Sequence, residues 1–332
     1  MKKVRWILLA VVLVIVVLAV VIGIFIYNQF HDDVKELAQV DGDLAYITDQ
    51  AGNWDITLQH PDKTQLNITQ EGTAQDYLFN FTFDSSTVYF YSTRSGDFNP
   101  ARVKADGSNL EVLNFITAGI KAISDKHLDV GPQWSPDGQQ LAWTKTQVKG
   151  LGSFTNDICV APVTDPNNFN CLTKDQGSNT EVSWAPDGKR LAFASDRDKN
   201  QDIWVIDIAS GEQTRLTHDE GWAFQPVWSL DGEWILFIWN VEKGTLEGGN
   251  LNLTLVKPDG SELHALAEGE VFKGGAAYSP SGKQVAYMSN EGGKWAVYVM
   301  NVDGSDLRQV TEGDFNFLYP SWVPKLASEA TP

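Results

Sequence analysis

A chain of 332 residues that sets 43 acidic side chains against 25 basic ones carries a formal charge of −18. Such a field repels polyanions and excludes nucleic acid as a partner. Aromatic residues make up 11%, glycines number 28, and turn residues recur at short intervals after residue 40, which excludes a helical bundle and points to many short strands.

The first element in chain order is apolar. Residues 7–26 form a continuous apolar run interrupted only by Gly23, and at about 1.5 Å per residue it reaches roughly 30 Å, the thickness of a bilayer's hydrocarbon core. A cleaved signal peptide is the competing reading, but its apolar region is shorter and ends in small residues, whereas Tyr27, Asn28, Gln29 and Phe30 follow here. Lys2, Lys3 and Arg5 precede the run while His31, Asp32 and Asp33 follow it, which sets the N-terminus in the cytoplasm and the remainder outside. The expected organisation is a cytoplasmic stretch 1–6, a membrane helix 7–27, a linker 28–41, a folded domain 42–324 and a tail 325–332.

Beyond the linker the chain repeats itself. Trp134-Ser135-Pro136-Asp137-Gly138, Trp184-Ala185-Pro186-Asp187-Gly188, Trp228-Ser229-Leu230-Asp231-Gly232 and Tyr278-Ser279-Pro280-Ser281-Gly282 are copies of one turn, 50, 44 and 50 residues apart. Phe83-Asp84-Ser85-Ser86 and Trp322-Val323-Pro324 are degenerate copies at the flanks. Proline fixes φ, aspartate bonds its own backbone and glycine accepts positive φ, so each copy closes a hairpin. Apolar second strands follow, such as Leu191-Ala192-Phe193 and Val285-Ala286-Tyr287, then third strands such as Asp202-Ile203-Trp204-Val205-Ile206. Turns at Gly211, Gly260 and Gly304 lead into fourth strands ending in Leu216-Thr217 or Val310-Thr311.

Four antiparallel strands per repeat make a propeller blade. The β region opens on a second strand, Leu44-Ala45-Tyr46-Ile47, and closes after a first strand at Trp322, so the two ends complete one blade between them. The expectation is an all-β, six-bladed β-propeller whose ring is sealed by its termini. The string from Trp184 to Thr217 resembles the TolB-like β-propeller repeat of bacterial periplasmic proteins, and the resemblance covers about residues 42–324. It implies the fold without a function, since the same repeat serves TolB, surface propellers and the substrate-gating domains of prolyl-oligopeptidase-type enzymes. TolB's N-terminal α/β domain finds no match in this sequence, and a role in the Tol system is not implied.

Candidate chemistry is sparse. Asp196, Asp198, Asn200 and Asp202 alternate like a calcium loop, but the glycine and terminal glutamate of an EF-hand are missing and the segment aligns with an ordinary turn, so no metal is expected. His31, His60, His127, His218 and His264 show no ligand spacing, and no G-x-S-x-G elbow occurs; no cofactor or catalytic residue is assigned. Cys159 and Cys171 flank the Asp165-Pro166 turn symmetrically and are expected to form a cross-strand disulfide.

Loop length varies on one face only, through 115–131, 146–156 and 241–250, and binding is expected there. Tyr77, Phe79, Trp222, Phe224, Phe272, Phe315, Phe317 and Tyr319 enter the first strands on that side. They read either as packing between blades or, with Asp76, Asp129 and Glu181, as a rim at the channel mouth. The expected partner is a protein, peptide or envelope polymer on the face away from the membrane, the short turns looking toward the bilayer. An extracytoplasmic hydrolase or lyase using channel carboxylates on a glycan or peptide is the alternative.

Overall fold

In a computed structural model the described residues are 40–70, 72–82, 85–96, 99–112, 132–150, 153–174, 177–218, 221–240, 251–269 and 271–323. The expected membrane helix 7–27 lies outside them, as do most of the linker, the tail 325–332, Asp129 and the segments 115–131 and 241–250. No helix among the described residues is long and apolar enough to cross a membrane. Contacts divide the chain into Met1–Val40 and Asp41–Pro332, and the second unit carries the fold.

That unit holds six four-stranded antiparallel sheets. Blade 1 contains β1 (Leu44–Thr48), β2 (Asp55–Gln59) and β3 (Gln65–Asn67), with β24 (Phe317–Trp322) as its inner strand. Blade 2 runs β4 (Asp76–Phe81), β5 (Thr87–Ser92), β6 (Asn99–Lys104), β7 (Glu111–Val112), and blade 3 runs β8 (Gln133–Trp134), β9 (Gln140–Gly150), β10 (Ser153–Pro162), β11 (Asn170–Cys171). Blade 4 is β12 (Asn179–Trp184), β13 (Arg190–Ser195), β14 (Asp202–Asp207), β15 (Gln213–Arg215). Blade 5 is β16 (Trp222–Trp228), β17 (Ile235–Asn240), β18 (Leu251–Val256), β19 (His264–Ala267), and blade 6 is β20 (Lys273–Tyr278), β21 (Gln284–Ser289), β22 (Ala296–Asn301), β23 (Arg308–Gln309). The expected closure is present: β24 pairs with β1, setting Trp322 opposite Leu44.

The repeated residues have repeated jobs. Ser135 and Ser229 hydroxyls donate to Asp137 and Asp231 at 2.6 Å, which holds both carboxyls below their usual range. The turn glycines sit at φ of 67° to 75°, where a side chain is strained. Two of the turn tryptophans knit blades together: Trp184 Nε1 donates to Gln133 O at 3.0 Å and Trp322 Nε1 to Ala277 O at 3.2 Å. In blade 6, where Ser281 replaces the turn aspartate, Asp41 supplies the carboxylate, accepting from Ser281 N at 3.2 Å and from its hydroxyl. The Asp41 amide donates to Gln284 Oε1 at 3.0 Å, so the entering chain is pinned to the short-turn face.

Two details differ from expectation or extend it. Residues 146–150 and 153–156 are paired rather than a loop: Thr146 pairs with Asn156, Gln147 with Thr155 and Val148 with Phe154, prolonging β9 and β10 as a two-stranded ribbon. Alternating Thr, Gln and Val side chains favour that extended pairing over an irregular loop. Cys159 stands opposite Cys171 in the β10–β11 register, and the two are disulfide-bonded.

Candidate functional site

The channel wall is shaped by a feature common to five inner strands. In β4, β12, β16, β20 and β24 two residues face one on the neighbouring strand, a β-bulge at the same place each time. The residue facing the bulge is always aromatic and almost wholly buried: Phe90, Phe193, Phe237, Tyr287 and Tyr46. A bulky ring in the second strand is thus accommodated by bending the first. Inside the bulges Glu181, Gln225 and Tyr319 adopt φ of 58°, 53° and 49°, with Gly275 at 57° in the blade between the last two. Positive φ is uncommon for side chains of this size.

These bulge residues are linked around the ring. Glu181 Oε2 accepts from the Gln225 amide at 2.7 Å, and Gln225 Oε1 accepts from the Gly275 amide at 3.0 Å. Gly275 has no side chain to continue the series, and Met288 Sδ takes the Tyr319 amide instead, at 3.4 Å. A Cβ on Gly275 would stand 3.3 Å from Tyr319 Cα and 3.4 Å from its ring, so glycine is what lets Tyr319 lie there. The Tyr319 side chain stays 38% exposed. Burial first, and the charge of Glu181 second, raise its phenol pKa.

One step nearer the variable face, the first residues of the same strands are Asp76, Asn179, Trp222, Lys273 and Phe317. Asp76 is fully buried and accepts from Arg94 at 2.6 Å, and Arg94 also donates to Ser92 and to Thr69 O. It belongs to the framework rather than to a rim, because burial leaves the carboxylate no surface to offer. Blade 4 repeats the arrangement without the acid: Arg197 donates to Asn179 at 2.7 Å and to Ser195 at 2.9 Å, its guanidinium 4.4 Å from the Trp204 ring centre. Burial lowers the Arg197 pKa. Blade 6 inverts the charges, with a buried Lys273 lowered by burial and favoured by Glu291.

The aspartates that resemble a calcium loop are engaged elsewhere. Asp196 accepts from the Ser178 amide at 2.6 Å, Asp198 pairs with Arg215 at 3.2 Å, and Asp202 takes both Arg215 at 2.7 Å and Thr217 at 2.9 Å. Asn200 Nδ2 donates to Gly221 O at 2.8 Å, bridging to the next blade. Blade 1 does the same, Asn53 reaching Ala74 O at 2.9 Å and Asp55 facing Thr69. Among the described residues no three His, Cys, Asp or Glu side chains stand together as metal ligands.

The aromatic residues divide. Phe79 and Phe317 are core: Phe79 packs edge-on against Phe81 and Phe317 against Tyr46, and neither presents a surface to a ligand. Tyr77, Trp222, Phe224 and Phe272 are half-buried, Tyr77 lying 6.2 Å from the Trp54 ring and Phe272 edge-on to Trp295 at 4.9 Å. Phe315 is 37% exposed beside a cavity of about 130 Å³ whose other walls include Trp295, Lys294, Asp314 and Gln309. Trp295 and Gln225 were not singled out in the sequence; the aromatic opposite each bulge is the signal that marks the latter.

A family model described as the TolB beta propeller domain matches residues 104–326, well over half of the chain. The chain belongs to the TolB β-propeller domain family. An uncharacterized protein of Agrobacterium fabrum is 30% identical over 267 residues, covering 65% of this chain and 89% of that protein. The uncharacterized peptidase YuxL of Bacillus subtilis is 28% identical over 191 residues, 48% of this chain, and the chain spans only 29% of it. TolB from Acinetobacter baumannii superposes with a TM-score of 0.65 at 21% identity, over 86% of this chain and 67% of that one, a likeness of fold. The TolB-type propeller therefore accounts for the repeated turn grammar.

Proposed function

We propose that this TolB-type propeller is a membrane-tethered, extracytoplasmic binding platform that docks a protein, peptide or envelope polymer on its variable face and channel mouth. The observation that carries this reading is the run of inner-strand bulges, linked from Glu181 to the Gln225 amide and from Gln225 to the Gly275 amide, that the hairpin grammar alone does not require. Exposed Phe315 and half-buried Trp222, Phe224 and Phe272 add apolar and aromatic area on the same side. The tether is the apolar run 7–26. Asp41, bound to the blade 6 turn, favours an orientation with the short turns toward the bilayer.

The test is crosslinking in intact cells followed by identification of the captured partner. Trp222→Ala with Phe315→Ala should abolish capture while leaving the melting temperature near wild type; undiminished capture refutes the assignment of the face. Turnover of a glycan or peptide panel by the purified chain would instead establish the hydrolase or lyase alternative. Orientation is checked by labelling, with Lys149 expected to react faster than Lys63 and Lys189 on intact cells.

A further inference from the structure

Apolar side chains on the short-turn face are not spread evenly round the ring. Of the six large hydrophobic residues that stand exposed among the described residues, Leu230, Leu263, Val302 and Leu307 all lie on short turns of blades 5 and 6. Leu230 takes the turn position that proline holds in blades 3, 4 and 6, so the hairpin chemistry does not ask for it. Close contacts join the two blades beneath these residues. Leu230 lies against the inner turn of blade 6, where a Cβ on Gly282 would meet its Cβ at 3.6 Å. The Val302 amide donates to Lys283 O in that same turn at 3.0 Å. On the outer side, a Cβ on Gly304 would meet Leu266 O at 3.2 Å, which brings the Val302–Leu307 turn onto the strand that follows Leu263. Ion pairs of Lys257 with Glu262, at 3.1 Å, and of Arg308 with Asp306 balance part of the charge beside the patch. A contiguous apolar patch on a strongly charged protein marks a surface that meets something apolar.

What it meets is indicated by where the chain arrives. Asp41 accepts from the Ser281 amide at 3.2 Å, next to Gly282 and therefore beside Leu230. Residues 27–40 alone separate the apolar run from this point, and fully extended they reach at most about 50 Å. A bilayer spanned by that run is thus held close to the patch, at a high effective concentration. A few exposed aliphatic side chains, too weak to bring a soluble protein to lipid, are enough for a tethered one, because interfacial binding follows the apolar area buried. The geometry points to a lipid-contact patch: Leu230, Leu263, Val302 and Leu307 seat in the interfacial layer of the bilayer that carries the tether, drawing blades 5 and 6 toward it. This rests on the reading of residues 7–26 as a membrane tether and goes beyond it, since a tether alone leaves the propeller free to stand off the surface.

The full chain, reconstituted with phosphatidylcholine vesicles, tests the inference by fluorescence from a nitrobenzoxadiazole label on one introduced cysteine. Labelling without reductant keeps the Cys159–Cys171 bond closed. Labels at Leu230→Cys and Leu307→Cys should shift to the blue and lose about half of their emission or more when the lipid is replaced by brominated phosphatidylcholine. Labels at Phe315→Cys, on the variable face, and at exposed Asn167→Cys, in the short turn of blade 3 across the ring, should be quenched little. Adding Leu263→Glu and Val302→Glu to the chain labelled at 230 should cut its quenching severalfold while the chain still floats with the vesicles. Flotation with labels at 230 and 307 unquenched keeps the tether and overturns the patch. Failure to float refutes the tether reading, and the patch with it. A blue shift without quenching by brominated lipid would assign the patch to a protein surface, such as a second copy of the chain, and overturn lipid as its occupant. Quenching at 167 equal to that at 230 would show adsorption of the whole face and overturn the patch as well. If the double glutamate variant melts far below wild type, the four labelled chains decide the question by themselves.

Discussion

Removing Arg94 isolates a buried charge, and the repeat supplies its own control. Asp76 is fully buried, one of its oxygens bonded to Arg94 and the other without a hydrogen-bond partner among the described residues, while the Arg94 side chain is 13% exposed. Arg94→Leu leaves the carboxylate uncompensated, a loss of about 3–5 kcal/mol. At roughly 2–4 °C per kcal/mol for a large domain the melting temperature falls by about 6–20 °C. Asp76→Asn should cost far less, about 1 kcal/mol, because Asn179 already faces Arg197 in blade 4 and an amide satisfies the same guanidinium. The double variant should be less damaged than Arg94→Leu alone, the signature of a coupled pair. Thermal unfolding followed by circular dichroism measures all four proteins. Equal shifts for Arg94→Leu and Asp76→Asn, or an Arg94→Leu shift under about 2 °C, would refute burial of the charge as the dominant effect.

Thr217→Val deprives Asp202 and the Ile203 amide of their hydroxyl partner and should cost about 1–3 kcal/mol in chemical denaturation. Replacing both cysteines by serine opens a loop of 12 residues' separation, with a loss of about 3 kcal/mol, and intact-mass analysis of untreated protein should show two hydrogens fewer than the reduced form. The turn carboxylates Asp137, Asp231, Asp207 and Asp303 have folded pKa values below the ordinary one because serine hydroxyls or backbone amides donate to them. Their contribution is therefore present above about pH 4 and lost as pH falls through the lowered folded values. Denaturation midpoints should be level near neutrality and decline below that point; Ser135→Ala with Ser229→Ala should flatten the decline. Gly275→Ala should destabilise by about 1–2 kcal/mol and disturb Tyr319, whereas Gly188→Ala, whose added Cβ meets only Pro136 at 3.9 Å, should bear the backbone cost alone.

The blades were legible because their turns are chemically demanding: a hairpin that needs proline, aspartate and a positive-φ glycine can be found by those residues alone. The closure followed from which strand began and which ended the series. The Cys159–Cys171 register was equally open, since hairpin symmetry fixes cross-strand neighbours. The bulges were not. Glu181, Gln225 and Tyr319 sit in segments whose composition suits a plain strand, and what bends the strand is a ring on its neighbour, more than ten residues away in four of five blades and across the ring closure in the fifth. Asp76 was misplaced for a related reason. An acid before a strand is polar in sequence, and only the distant Arg94, whose counterpart in blade 4 is Arg197, shows it to be internal.

The same separation decides how the variable face is held. Asn53 and Asn200 reach backbone carbonyls of the following blade, at Ala74 and Gly221, and Asn156 reaches Ser178. These bonds lie at the third-strand starts, on the side where the loops vary. Of the four residues that looked most like ligands, Asn200 fixes blade to blade, while Asp196, Asp198 and Asp202 bond within blade 4 and its entry. The bulge residues, by contrast, break the repeat's pattern. Glu181, Gln225, Gly275 and Tyr319 occupy one structural position with three different side chains and a glycine, while the residue opposite them stays aromatic in every bulged blade. Variation at a fixed, strained position on a rigid wall is where a shared scaffold acquires its own specificity.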